Sequence, residues 1–172
     1  MEPHAAYQPE LWRDLYVMLG TSAAALIGLL FVATSLHLDD LVRNPVYHTR
    51  AYNQTRYLAL LLIEAVFVLM PQTPLIFGIE IVLLNVLGLA LPVSNIYSFV
   101  YKNKAAAEPG GWAIGRAVRY ILAFALGIAG GAMLTVDSAW GMYFVTASFV
   151  LLLVAVIANA WSIMLGVRSR KT

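Results

Sequence analysis

Two carboxylates, Glu64 and Glu80, sit inside stretches that are otherwise continuously apolar. Glu64 lies in Y-L-A-L-L-L-I-E-A-V-F-V-L-M and Glu80 in P-L-I-F-G-I-E-I-V-L-L-N-V-L-G-L-A-L. The turn Pro71-Gln72-Thr73-Pro74 separates them, and each glutamate is eight residues from Gln72. In an antiparallel helical hairpin that symmetry predicts one depth for both, roughly 12 Å from the turn at about 1.5 Å per residue. An ionisable side chain in hydrocarbon is costly and reads by default as functional, with the other acid as its expected partner. Two carboxylates held together do not both ionise cheaply, so a proton or a cation is expected between them. Thr21 and Ser22 in the first apolar run, and Thr146 and Ser148 in the last, could extend the pair into an oxygen cage for a hard cation. The competing expectation is structural. Protonated acids would then tie helices together, and each hydroxyl would bond a carbonyl one turn back.

A second polar layer comprises Thr34, Ser35 and His37, Ser94 and Asn95, and Asn159 and Ser162, with Asn85 between the two layers. Interhelical hydrogen bonding is the expected role of the asparagines. His37, Asp39, Asp40 and His48 are close in sequence, but their spacing matches no zinc motif, so no metal centre is expected. The chain has no cysteine, which removes thiolate ligands and thiol nucleophiles. It also lacks H-E-x-x-H, an intramembrane G-x-S-x-G and a P-loop, so neither catalysis nor a cofactor is expected. The set Arg43, Arg50, Arg56, Arg116 and Arg119 suits anionic lipid headgroups rather than nucleic acid.

The elements that must position these residues are membrane helices. Apolar residues make up 61% of the chain and charged ones only 12%, against roughly 25% in soluble domains. Mean hydropathy is positive. Since about 20 residues cross the hydrocarbon, spans are predicted near 15–36, 51–70, 75–97, 117–136 and 140–167. The expected fold is an all-α integral membrane bundle of five transmembrane helices, one domain over 1–172. The second span is the weakest, because it must borrow a turn containing Arg56, whose stem can snorkel. Asn44-Pro45 reads as a cap with proline at the first helical position. The opening M-E-P-H-A-A-Y-Q-P-E lacks the basic region of a signal peptide, so the first span is expected to be retained.

Basic residues set the orientation. Five spans leave ten of the eleven Lys and Arg on one side and Arg13 alone on the other. The positive-inside rule then puts the N-terminus outside and the C-terminus in the cytoplasm of a bacterial inner membrane protein. Trp12, Tyr16, Trp140 and Tyr143 are expected in an outer aromatic belt, with Tyr57, Tyr101, Trp112, Tyr120 and Trp161 in an inner one. The segment Ala105 to Gly111 reads as a solvated connector.

Small residues recur every four positions, as Gly20, Ala24 and Gly28 in the first span and Ala123, Gly127 and Gly131 in the fourth. Such stripes bring backbones close, either within one subunit or between copies. The string G-L-L-F-V-A-T-S-L-H-L, Gly28 to Leu38, followed by a basic loop and a helix ending in M-P-Q, resembles small bacterial membrane proteins loosely labelled as modulators of a membrane-anchored protease. That likeness covers mainly residues 15–72 and implies shared architecture without a site. Thr21-Ser22-Ala23 and Gly28 to Ala33 are also similar to the first, pore-lining helix of the Orai calcium channels. Leu36 occupies the position of that family's pore glutamate, the spacing differs by one residue, and the Orai subunit has four spans.

With the charge bias forcing parallel insertion, copies should associate about an axis along the membrane normal as a cyclic homo-oligomer. The leading functional expectation is an oligomeric, cation-selective channel in which Glu64 and Glu80, assisted by Thr21, Ser22 and Ser148, bind an inorganic ion. The alternative is a non-conducting accessory protein that binds another membrane protein. Whether the polar layer faces a shared axis or the middle of one subunit separates the two.

Overall fold

The computed structural model describes residues 8–36, 45–101 and 110–168. They form five helices and, among the described residues, no strand: α1 (Pro9–Leu36), α2 (Pro45–Leu69), α3 (Pro74–Tyr101), α4 (Gly110–Thr135) and α5 (Trp140–Arg168). Four helices are long and apolar enough to cross a membrane, over Glu10–Leu36, Pro74–Ser94, Gly115–Thr135 and Trp140–Trp161. α2 is not among them, because its first half carries His48, Arg50, Asn53, Gln54 and Arg56. The expected 51–70 span is therefore a helix, but not one that qualifies by composition. The segment with His37, Asp39 and Asp40 and the connector 105–109 lie outside the described residues, as do the side chains of Asn95 and Ser162.

Local chemistry explains where the helices stop and start. Pro45 and Pro74 each open a helix, where the missing N–H costs no hydrogen bond. Thr73 caps α3, its Oγ1 accepting from Ile76 N at 3.4 Å, while Gln72 Nε2 donates to the Phe67 carbonyl at the end of α2 (2.9 Å). α4 ends where Asp137 takes a φ of 56°. The Asp137 and Ser138 amides then donate to the Leu134 and Met133 carbonyls at 3.0 Å, which turns the chain into α5.

Cross-helix pairs give the arrangement. Trp12 meets Tyr143 edge-on at 5.1 Å and Tyr16 meets Phe149 at 5.7 Å, so the starts of α1 and α5 lie together. A Cβ on Gly20 would stand 3.1 Å from Ala65 Cβ, which brings the start of α1 to the end of α2. Gly78 faces Gly131, Asn85 faces Gly127 and Gly88 faces Phe124, so α3 and α4 run antiparallel. The result is an up-down bundle.

α2 is its hub, packing on α1, α5 and α3, whereas α4 packs chiefly on α3 and α5. Its buried positions are Ala51, Gln54, Tyr57, Leu58, Leu61, Glu64, Ala65 and Val68. These steps of three and four place one seam against its neighbours. A helix so placed meets α1, α3 and α5, and it buries Gln54 and Glu64 against them. Tyr16, Phe77, Phe124 and Phe149 are the largest side chains fully enclosed by the packing. Tyr16, Tyr57 and Tyr120 thus turn inward rather than forming belts, while Trp140, Tyr143 and Trp161 are exposed.

Candidate functional site

Glu64 is 3% exposed and Asn85 1% exposed, at the level where all five helices meet. Their neighbours form a ring. From α5, Thr146 Oγ1 hydrogen-bonds the Tyr16 hydroxyl of α1 at 3.0 Å. Tyr16 lies close enough to Glu64 of α2 for the carboxylate charge to act on its phenol. The Asn85 amide of α3 is the hydrogen-bonding neighbour of Glu64. Asn85 in turn rests against Gly127 of α4, where any Cβ would overlap the amide. Ser148 Oγ closes the ring from α5 to α4 by donating to the Ala123 carbonyl at 2.7 Å.

Two acceptors in this ring are buried without a partner: Glu64 Oε1 and Asn85 Oδ1. Asn85 Nδ2 donates to the Ile81 carbonyl at 2.9 Å. A buried acceptor left unpaired costs about 1–3 kcal/mol, and an unpaired charge costs more. No Lys, Arg or His of the described residues acts on the Glu64 carboxylate. A positive charge or a hydrogen-bond donor is what these two atoms lack.

Glu80 is placed differently. It is half-buried, with Oε2 enclosed and unpartnered, and no hydrogen bond joins it to Glu64. Gly78, Val82 and Asn85 share the face of α3 that meets α4. Glu80 follows Gly78 by two residues and so projects from nearly the opposite side. The hairpin symmetry predicts Glu80 opposite Glu64, but the residue that meets Glu64 is Asn85, five residues further from the turn and on another face of α3.

The hydroxyls proposed for a cage are engaged elsewhere. Thr21 and Ser22 donate to the carbonyls of Val17 and Met18, four residues back, at 2.7 and 2.8 Å. Thr34 and Ser35 both bond back to the Phe31 carbonyl. Ser148 holds α5 to α4. Of the small residues, Ala123, Gly127 and Gly131 pack inside the subunit, as does Gly20, while Ala24 and Gly28 are exposed. Among the described residues no three His, Cys, Asp or Glu gather to hold a metal.

Nearer the other end lies a second polar network. Asn159 Nδ2 donates to Gln54 Oε1 at 2.7 Å, and Gln54 Nε2 donates to the Val156 carbonyl. The Tyr120 hydroxyl reaches Gln54 Oε1 at 3.5 Å and the Ala155 carbonyl at 3.4 Å. Arg116 Nη1 donates to Asn159 Oδ1 at 3.4 Å. Tyr57 stacks on Tyr120 with centroids 4.3 Å apart and planes inclined by 16°. Sequence reading recognised Asn159 but missed Gln54 and Tyr120. Gln54 follows Ala51 by three and precedes Leu61 by seven, on the apolar seam, and that register was the available signal.

Family models, curated proteins and solved structures offer no match to this chain. Function is accordingly read from the site itself.

Proposed function

We propose that this chain is an integral membrane protein that passes a cation across the bilayer, with Glu64 as the ion-binding group. The observation that carries the reading is a fully enclosed carboxylate with an unpartnered oxygen at the junction of five helices. Intramembrane acids that face a bundle interior mark ion or proton pathways. Leu29, Phe31, Leu83, Leu87, Leu122 and Val154 are large, apolar and exposed on the outside of the bundle, which suits a lipid surround.

In this reading all five helices cross, α2 sheltered by its neighbours, with the N-terminus outside and ten of the eleven Lys and Arg in the cytoplasm. The burial of Glu64 within its own bundle supports a route inside each subunit rather than along an axis between copies. Parallel copies would associate as a cyclic oligomer through their outer faces. Glu80, with its flank position, acts as a second, peripheral acid.

One observation favours the alternative of an accessory protein. Ala24 and Gly28 are exposed on α1, and nothing lies within 4 Å of a Cβ built on Gly28, which leaves a shallow ridge that a helix of another membrane protein could fill.

Purified protein in liposomes, exposed to a salt or pH gradient, tests the first reading. Cation flux should fall in Glu64→Gln, with a smaller effect in Glu80→Gln. Unchanged flux in both single variants and the double removes the carboxylates from the mechanism. Orientation is tested separately, by a cysteine at Thr73 that should label from outside intact cells and one at Ala106 that should not.

A further inference from the structure

We propose that the ligand of the Glu64–Asn85 site is a single proton, held as a carboxylic acid at Glu64. The inference deepens the transport reading and rests on it for any role in flux. The proton site itself stands or falls on its own observations.

The first of these is the pair of unsatisfied acceptors. Glu64 Oε1 and Asn85 Oδ1 are buried without a donor, on residues whose side chains are already hydrogen-bonding neighbours. One added hydrogen forms the O–H bond on Glu64 and removes a charge that no facing cation offsets. The balance is simple. A hydronium ion delivers the proton, the carboxylate goes from −1 to neutral, and release reverses the step.

The second is the lack of a cage. Calcium takes about six to eight oxygen ligands, and magnesium about six in near-ideal octahedral geometry. Among the described residues, two buried side-chain acceptors without a partner stand here. The Tyr16 and Thr146 hydroxyls are bonded to each other, and Ser148 to the Ala123 carbonyl. Gly127 lies so close under the Asn85 amide that not even a methyl group fits between them. A metal ion with its remaining waters needs space that this junction has filled with protein. A proton needs none.

The third is the charge around the site. From α1 the facing titratable group is Tyr16; α3 presents the neutral Asn85, with Glu80 on another flank; α4 presents Gly127; α5 presents Thr146. None of them supplies a counter-charge to an ionised Glu64. The neutral acid is the form that this environment accommodates.

Infrared spectroscopy of the full chain in lipid nanodiscs at neutral pH reads the answer. Wild type and Glu80→Gln should show a carbonyl band of a protonated carboxylic acid that shifts in D2O. Glu64→Gln should lose the band while keeping its helical content and melting temperature, because a neutral amide replaces a neutral acid of the same shape. Asn85→Leu, which leaves the acid in place, should move the band to higher frequency by removing the amide that hydrogen-bonds the carboxyl group. A wild-type spectrum with carboxylate bands only, or a band that survives in Glu64→Gln, overturns the proposal. Flux that ignores Glu64→Gln while the band vanishes removes the transport reading and leaves the proton site standing.

Discussion

Gln54, Tyr120 and Asn159 hydrogen-bond one another and nearby carbonyls; about 15 Å further along α2, around Glu64, two buried acceptors have no partner. Both regions draw on the same materials, amides and tyrosines from α2 and its neighbours. Their difference lies in what remains unsatisfied. The Gln54 network binds α2, α4 and α5 into one unit and leaves nothing for a ligand. At the Glu64 ring the helices are brought just as close, by Gly20 and Gly127, yet Glu64 Oε1 and Asn85 Oδ1 are left without a partner. A satisfied buried network rigidifies, whereas an incomplete one marks where something is missing. The first region is the fold's clamp, and on the proposed reading the second is its receptor.

The comparison can be broken at the clamp first, where the largest loss is expected. Gln54→Leu removes the acceptor of Asn159 and the donor to Val156, so stability measured by unfolding in lipid–detergent mixtures should drop by about 1–3 kcal/mol. A loss no greater than scatter would mean that the network is not a clamp. Tyr120→Phe keeps the stacking on Tyr57 and removes only long hydrogen bonds, so about 0.5–1 kcal/mol is expected. Glu64→Gln sharpens the contrast from the other side. It should change stability by less than about 1 kcal/mol, since it leaves no charge or cavity behind. Thr21→Val and Ser22→Ala should do least, within about 0.5 kcal/mol and without effect on flux, because their hydroxyls serve only their own helix. A flux defect in either variant would return the outer hydroxyls to the ion path.

Much of the architecture is legible in the chain. The predicted 75–97 and 140–167 segments become helices Pro74–Tyr101 and Trp140–Arg168, and the proline turn at residues 71–74 falls between α2 and α3 as its composition implies. Depth is legible only roughly, since Asn85, the neighbour of Glu64, lies five residues beyond Glu80, about 7.5 Å further along α3. Azimuth is not legible. Which residue of α3 reaches Glu64 follows from the face of α3 that meets α4. That face is marked by Gly78, one heptad before Asn85, but glycine in an apolar helix has too many uses to single it out. The Tyr16–Thr146 pair spans 130 residues, and nothing local in either segment records it. Tyrosine near a helix end reads as an interfacial anchor, and only packing turns Tyr16, Tyr57 and Tyr120 inward.

The most direct test measures fold and flux on the same preparation of Glu64→Gln reconstituted in liposomes. A helix content and melting temperature matching wild type, with cation flux reduced to that of protein-free liposomes, is the result expected if Glu64 is the receptor and not part of the clamp. Undiminished flux through a variant so folded contradicts that assignment.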